Sequence, residues 1–198
     1  MTVKLSIIYY SSTGTVDAMA RRAAQTGEKL GAEVRLRHVA ETAPQEAIEE
    51  QDDWAKHREE MEGEPVAEPE DLAWADVVLL GTPTRFGSSA SQLQAFIDTL
   101  GPLWQEGGLA DKVYAGFTAT QTEHGGQEST LISLCTAFMH WGGIIVAPGY
   151  TDEVKFADGN PYGAGKVTGE TTDLEEPDLD AIDHLVTRAL HVGERLAA

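Results

Sequence analysis

Along this chain, β-rich apolar runs alternate with stretches whose apolar positions recur every three or four residues. Val3 to Tyr10 is a largely apolar run that stops at the polar cluster Ser11-Ser12-Thr13-Gly14-Thr15, which predicts a strand ending in a turn. Beyond it Val16, Met19, Ala20, Ala23, Ala24, Gly27 and Leu30 fall at helical steps and predict one buried face of a helix ending near Gly31. Glu33 to Val39 alternates as a half-buried edge strand, with Val34, Leu36 and His38 opposite Arg35 and Arg37. Val77 to Leu80 reads as a short, fully apolar strand closed by Gly81-Thr82-Pro83-Thr84, and Leu93, Phe96, Ile97 and Leu100 mark the next helix.

Lys112 to Phe117 leads into a polar loop, Thr118 to Gly126, and Leu131, Leu134, Cys135 and Phe138 line the helix after it. Ile144 to Ala147 reads as the last strand and Tyr150 to Asp178 as a long loop, with Ile182, Leu185, Val186 and Ala189 facing inward from a closing helix. This alternation predicts a parallel sheet covered by helices on both faces. With 198 residues the chain suits one domain, residues 1–198, carrying an acidic insertion around 41–70 and a long loop around 148–178.

Three polar loops follow three apolar strands, and in an open parallel sheet such loops emerge on one edge, where ligands bind at the switch in strand order. In the first loop Ser11, Ser12, Thr13 and Thr15 offer hydroxyls, Gly14 permits a tight turn, and the next helix presents free N–H groups and a positive dipole end. That combination suits a phosphate held without any basic residue; the plainer alternative is a Ser/Thr helix cap with no ligand. Other phosphate motifs fail. No Gly-x-Gly-x-x-Gly occurs, and around Gly165-Lys166 the P-loop positions are taken by Asn160 and Val167.

The formal net charge of −19 argues against nucleic-acid partners or anionic membrane surfaces. Much of it is local: Glu41 to Glu70 holds twelve acids against Lys56 and Arg58, and Glu170 to Asp183 holds seven with no base. Both runs read as solvated loops or helix faces, although a host with high internal salt is a competing explanation for the acidity. The lone Cys135 excludes an internal disulfide or clustered-thiolate metal site and reads as a core thiol. No run approaches a membrane span and no signal pattern opens the sequence, so a cytoplasmic location is the expectation.

Ser11 to Thr15 after the first strand resembles the phosphate loop of flavodoxins. The segment Gly81-Thr82-Pro83-Thr84-Arg85-Phe86-Gly87, taken with Gly101-Pro102-Leu103-Trp104, Gly125-Gly126-Gln127-Glu128 and Asn160-Pro161-Tyr162-Gly163-Ala164, resembles the WrbA-type NAD(P)H:quinone oxidoreductases nearly end to end. The resemblance implies a flavodoxin-like doubly wound α/β fold, a five-stranded parallel sheet of order 2-1-3-4-5. It also implies FMN as cofactor, a homotetramer, and two-electron reduction of quinones by NADH or NADPH in a ping-pong cycle.

Residue by residue, the resemblance puts the cofactor phosphate on Ser11, Ser12, Thr13, Gly14, Thr15 and Val16. It puts the flavin ring on Pro83, Thr84, Arg85, Phe86 and Gly87, and on Ala119, Thr120, Gln121, Thr122 and Gly125 of the third loop. His140 matches the family's flavin-side histidine, with helix capping as its plainer reading, while Thr13 and Trp104 match its substrate side. Arg85 would stabilise charge on reduced flavin or simply pair with a surface carboxylate. Two positions depart from the family: Thr13 stands where an aromatic is common, and the third loop is one residue longer, with Gln121 and Glu123 in place of glycines.

Two rival readings stand beside this one. The acidic surface favours a flavodoxin-type electron carrier that docks on basic partners, against which Arg85 and Trp104 weigh. A regulatory or interaction role would rest on the acidic segment Glu41 to Glu70 and on the historical name of the resembled family, tryptophan-repressor-binding proteins, with the charge weighing against any DNA binding.

Overall fold

A computed structural model describes residues 2–169 and 171–197, so that Glu170, first acid of the second run, lies outside it. The first strand, β1 (Lys4–Tyr9), is followed by α1 (Thr15–Lys29) and β2 (Glu33–His38). The acidic segment folds into α2 (Gln45–Glu49), α3 (Asp52–Glu60) and α4 (Pro69–Trp74). Next come β3 (Val77–Arg85), β4 (Ser88–Ser89), α5 (Ser91–Asp98) and α6 (Gly101–Gln105). The chain continues through β5 (Val113–Thr120), α7 (Gln127–His140), β6 (Ile144–Ile145), α8 (Val154–Asp158), β7 (Ala164–Val167) and α9 (Glu176–Leu196).

The parallel sheet runs β2-β1-β3-β5-β6, the flavodoxin-like order of the sequence expectation, with seven strands instead of five. One extra strand, β4, is the return arm of a hairpin on β3. The other arises because the fifth strand position is split: β6 pairs with Val113 and Tyr114 of β5, and β7 resumes the same edge opposite Phe117 to Thr120. The supposed long loop after Tyr150 therefore holds a helix and a strand. Its pattern hid β7 because Gly165 interrupts the apolar run and Lys166 is buried there only by pairing with Asp178 of α9 at 2.7 Å.

Side chains alternate across the sheet and so build two cores. Leu5, Ile7, Val77 and Leu79 pack beneath α1 and α9, while Ile8, Val78, Leu80 and Tyr114 pack against α5 and α7. The expected helix faces are buried apart from Leu30, which follows the last turn of α1 and is 47% exposed, and from Ile97 and Cys135, which are half-buried. The lone thiol therefore sits at the edge of a core rather than within it. Of the twelve acids between Glu41 and Glu70 most are solvated as expected, but Glu41 and Glu64 are half-buried.

Two strands outrun their sequence boundaries. β3 continues through Gly81-Thr82-Pro83-Thr84-Arg85 and β5 through Thr118-Ala119-Thr120, because threonine accepts extended geometry and its hydroxyl can be satisfied between strands. Thr82 Oγ1 accepts the Ala90 N–H at 2.9 Å, and Thr118 donates to the Thr82 carbonyl at 2.7 Å. The polar loops thus start on rigid strand ends.

Candidate functional site

At the carboxyl edge of the sheet the ends of β1, β3, β5 and β7 open into one cleft of about 1230 Å³. Ser11, Ser12, Thr13, Thr15 and Val16 line it from the first loop, Pro83 to Phe86 from the second, and Ala119, Thr120, Gln121, Thr122 and Gly125 from the third. The structure therefore brings together nearly all the residues singled out in the sequence. Although the chain carries −19, no aspartate or glutamate is among the described residues lining this cleft, and among them Arg85 is the one cation.

The first loop is shaped by its own atoms. Gly14 caps α1 with φ 98°, a left-handed geometry that suits glycine, and its N–H donates to Ser11 Oγ at 3.1 Å. Thr15 opens the helix with its hydroxyl buried and, among the described residues, without a partner. A buried orphan hydroxyl costs about 1–3 kcal/mol; Ser6 carries another inside β1, but Thr15 differs in lining the cleft, where a ligand oxygen would complete its bonding. Hydroxyls, turn amides and the start of a fifteen-residue helix together fit a phosphoryl group.

The second loop is a tight hairpin in which Thr84 faces Ser89 and Arg85 faces Ser88. Phe86 and Gly87 form its tip with φ 53° and 80°, the pairing of a type I′ turn. Gly87 lies outside the cleft lining; a Cβ there would come within 2.7 Å of Ser129 Oγ, so its part is to let the hairpin seat on α7. A phenylalanine with positive φ is strained, and the Phe86 ring is wholly exposed at the lip of the cleft.

Arg85 donates to the Thr84 carbonyl and to Ser12 Oγ, both at 3.0 Å, tying the second loop to the first. It forms no ion pair among the described residues, so the carboxylate alternative is not what the structure shows. The Thr84 hydroxyl is turned away from the cleft, bonding Thr130 Oγ1 at 2.6 Å and the Gly126 carbonyl at 3.3 Å. In the third loop Gln127 and the Thr122 carbonyl pin the Thr120 hydroxyl, and Thr168 and Gly169 close that wall through bonds to the carbonyls of Thr120 and Gln121.

Sequence reasoning missed one whole wall. Thr42, Pro44, Gln51 and Trp54 of the acidic segment line the cleft beside Tyr10 and Gln92. Glu41 holds that wall: its carboxylate accepts from the Tyr10 hydroxyl, the Trp54 indole, the Gln92 amide and the backbone N–H groups of Thr42 and Ala43. Burial alone would raise the Glu41 carboxyl, but these donors outweigh it and hold it below the usual carboxylate range. Burial and that same contact push the Tyr10 phenol upward, so it stays a neutral donor. The signal in the sequence was Trp54, a lone large aromatic among acids.

Trp104 and His140 lie elsewhere. They meet in a shallow pocket of about 270 Å³ with Ile97, Leu100 and Trp141, where the Trp104 indole donates to the His140 carbonyl at 3.1 Å. None of these residues lines the main cleft of the same chain. Trp104 is half-exposed, a flat apolar surface turned outward.

A flavodoxin-like sheet with an acid-free, hydroxyl-lined cleft at its carboxyl edge defines a flavoprotein-type nucleotide site. The model of the family described as NADPH-dependent FMN reductase matches residues 3–154, and the chain belongs to that family of NAD(P)H-dependent flavoprotein oxidoreductases. It is 50% identical over 195 residues to an NAD(P)H dehydrogenase (quinone) of Deinococcus radiodurans, covering 98% of this chain and 97% of that one. A protein of the same name from Caulobacter vibrioides is 41% identical over 173 residues, 84% of this chain and 83% of that one. Among solved structures, a flavodoxin, WrbA-like protein from Agrobacterium tumefaciens superposes with TM-score 0.69 at 20% identity, covering 98% of this chain and 99% of that one. Oxidised flavodoxin 1 of Bacillus cereus superposes with TM-score 0.62 at 16% identity, over 95% and 97%. At such identities these likenesses speak for the fold.

Proposed function

We propose that the chain is an FMN-dependent NAD(P)H:quinone oxidoreductase acting in the cytoplasm. The observation that carries this is a cleft whose described lining holds hydroxyls, amides and one arginine but no acid, in a strongly acidic protein, with the Thr15 hydroxyl buried at the head of α1. Ser11 to Val16 would hold the cofactor phosphate through neutral donors, and the ends of β3 and β5 would hold the ring. Bound there, FMN would supply two-electron hydride chemistry, taken from a nicotinamide and passed to a quinone in alternating half-reactions.

The residues of this chain then divide the remaining work. Arg85, anchored on Ser12 and Thr84, holds positive charge at the cleft, where it would favour an anionic group on a bound cofactor. Phe86, strained and exposed, supplies an apolar cover at the mouth. Thr13, exposed beside it, leaves room on the substrate side. Trp104 and His140 sit outside the cleft of their own chain, so their assigned parts at the ring require a neighbouring subunit; this supports a homotetramer whose sites are shared.

Steady-state assay decides the matter. FMN-loaded protein should oxidise NADH or NADPH with benzoquinone unaided, and NADH alone should bleach its flavin bands. The net charge favours one rival, an electron carrier. A flavin-loaded protein that turns over only with an added reductase would establish that rival and sink the enzyme reading.

A further inference from the structure

The acidic segment does more than form a wall: its helix α3 places a histidine behind the first loop. His57 is 6% exposed, the one fully buried residue of α3. Its ring is the nearest group on that side of Gly14, with Nδ1 3.6 Å from where a Cβ on Gly14 would stand. Nδ1 also lies 3.7 Å from the exposed Glu60 carboxylate. The other nitrogen, Nε2, is buried and has no hydrogen-bond partner among the described residues.

Buried polar side-chain atoms are rarely left without a partner; among the described residues only the Ser6 and Thr15 hydroxyls share this state with His57. His57 borders a small cavity of about 20 Å³ shared with Ser11, Tyr9, Tyr10 and His38. That volume exceeds the roughly 10–15 Å³ one water needs, and hydroxyl and imidazole side chains stand among its lining. The two sides of the loop therefore mirror each other: the Thr15 hydroxyl is orphaned at the head of α1, and the His57 imidazole is orphaned behind Ser11 and Gly14.

We propose that His57 is a positioning residue for the cofactor phosphate: through one water in the cavity it braces the Ser11–Gly14 turn from behind, so that the acidic segment sets how tightly the phosphate is held. The inference rests on the FMN reading above. His57 does not touch the cofactor; it acts through the loop, as supporting shells do at other sites.

The test compares FMN with riboflavin, which shares the ring but lacks the phosphate. Apoprotein of the wild type, His57→Ala and His57→Phe is titrated with each, following quenching of flavin fluorescence. Losing one supporting hydrogen bond should weaken FMN binding about tenfold in both variants and leave riboflavin binding within about twofold. Riboflavin binding doubles as the check that the variants fold. FMN affinity unchanged in His57→Ala, or His57→Phe binding FMN like the wild type, would overturn the proposal in favour of mere packing. Equal weakening of both flavins would overturn it too, since the effect would not pass through the phosphate. Wild-type protein that binds neither flavin would instead defeat the FMN reading, and this inference with it.

Discussion

At the scale of single residues, strain and missing bonds locate the chemistry. Thr15 buries a hydroxyl without a partner, a cost removed when an anionic oxygen arrives. Thr15→Val should therefore weaken FMN binding roughly ten- to hundredfold, the worth of one hydrogen bond to a charged group, while leaving the apoprotein's melting temperature equal or higher. Fluorescence titration and thermal melts of the apoprotein check both halves; a lower apo melting temperature would mean the hydroxyl is satisfied after all. Phe86 tells a similar story from the other side. Its φ of 53° costs about 1–3 kcal/mol, and asparagine before glycine is the preferred type I′ turn. Phe86→Asn should raise the melting temperature by about 2–4 °C per kcal/mol recovered and lower quinone turnover, which calorimetry and the benzoquinone assay would register together.

At the scale of elements, the acidic segment is attached by buried apolar side chains, Ile48, Met61 and Ala67, together with polar contacts. α3 buries His57 alone among its residues, and the loop before it is pinned by the five donors on Glu41. Because the folded Glu41 carboxyl lies below its unfolded value, its stabilisation is fully present above the unfolded value of about 4.3 and is lost as pH falls through the folded one. Glu41→Gln should then destabilise the protein by about 1–2 kcal/mol at pH 7, with the gap to wild type closing as pH drops below about 4. Melts between pH 7 and 3 measure this, and a gap independent of pH would remove the carboxylate from the account. The helices and strands flanking this segment were legible from their periodicity, as the buried faces of α1 and α9 confirm. The wall made by Thr42 and Trp54 was not, because short polar helices carry no period that says which neighbour they will touch.

At the scale of the molecule, a charge of −19 surrounds a cleft with one arginine, so a nicotinamide nucleotide approaches against repulsion before reaching neutral donors. Raising ionic strength from about 0.01 to 0.1 M shortens the screening length from about 30 to 10 Å and should lower KM for NADPH, more than for the less charged NADH. A KM flat or rising with salt would show that the local field at Arg85 governs capture. No described helix is long and apolar enough to cross a membrane.

The sequence by itself determined the strand and helix order, the polar loops that end the strands and the hydroxyl-rich turn at Ser11 to Thr15, because periodicity and turn chemistry are local properties. Tertiary structure alone decided four things: the fifth strand is completed by β7, the acidic segment walls the cleft, His57 lies against Gly14 of the first loop, and Trp104 with His140 lines a separate pocket. Each depends on pairing between residues far apart in the chain, where a four-residue strand or a buried histidine gains its place only from a partner whose position the local pattern does not encode.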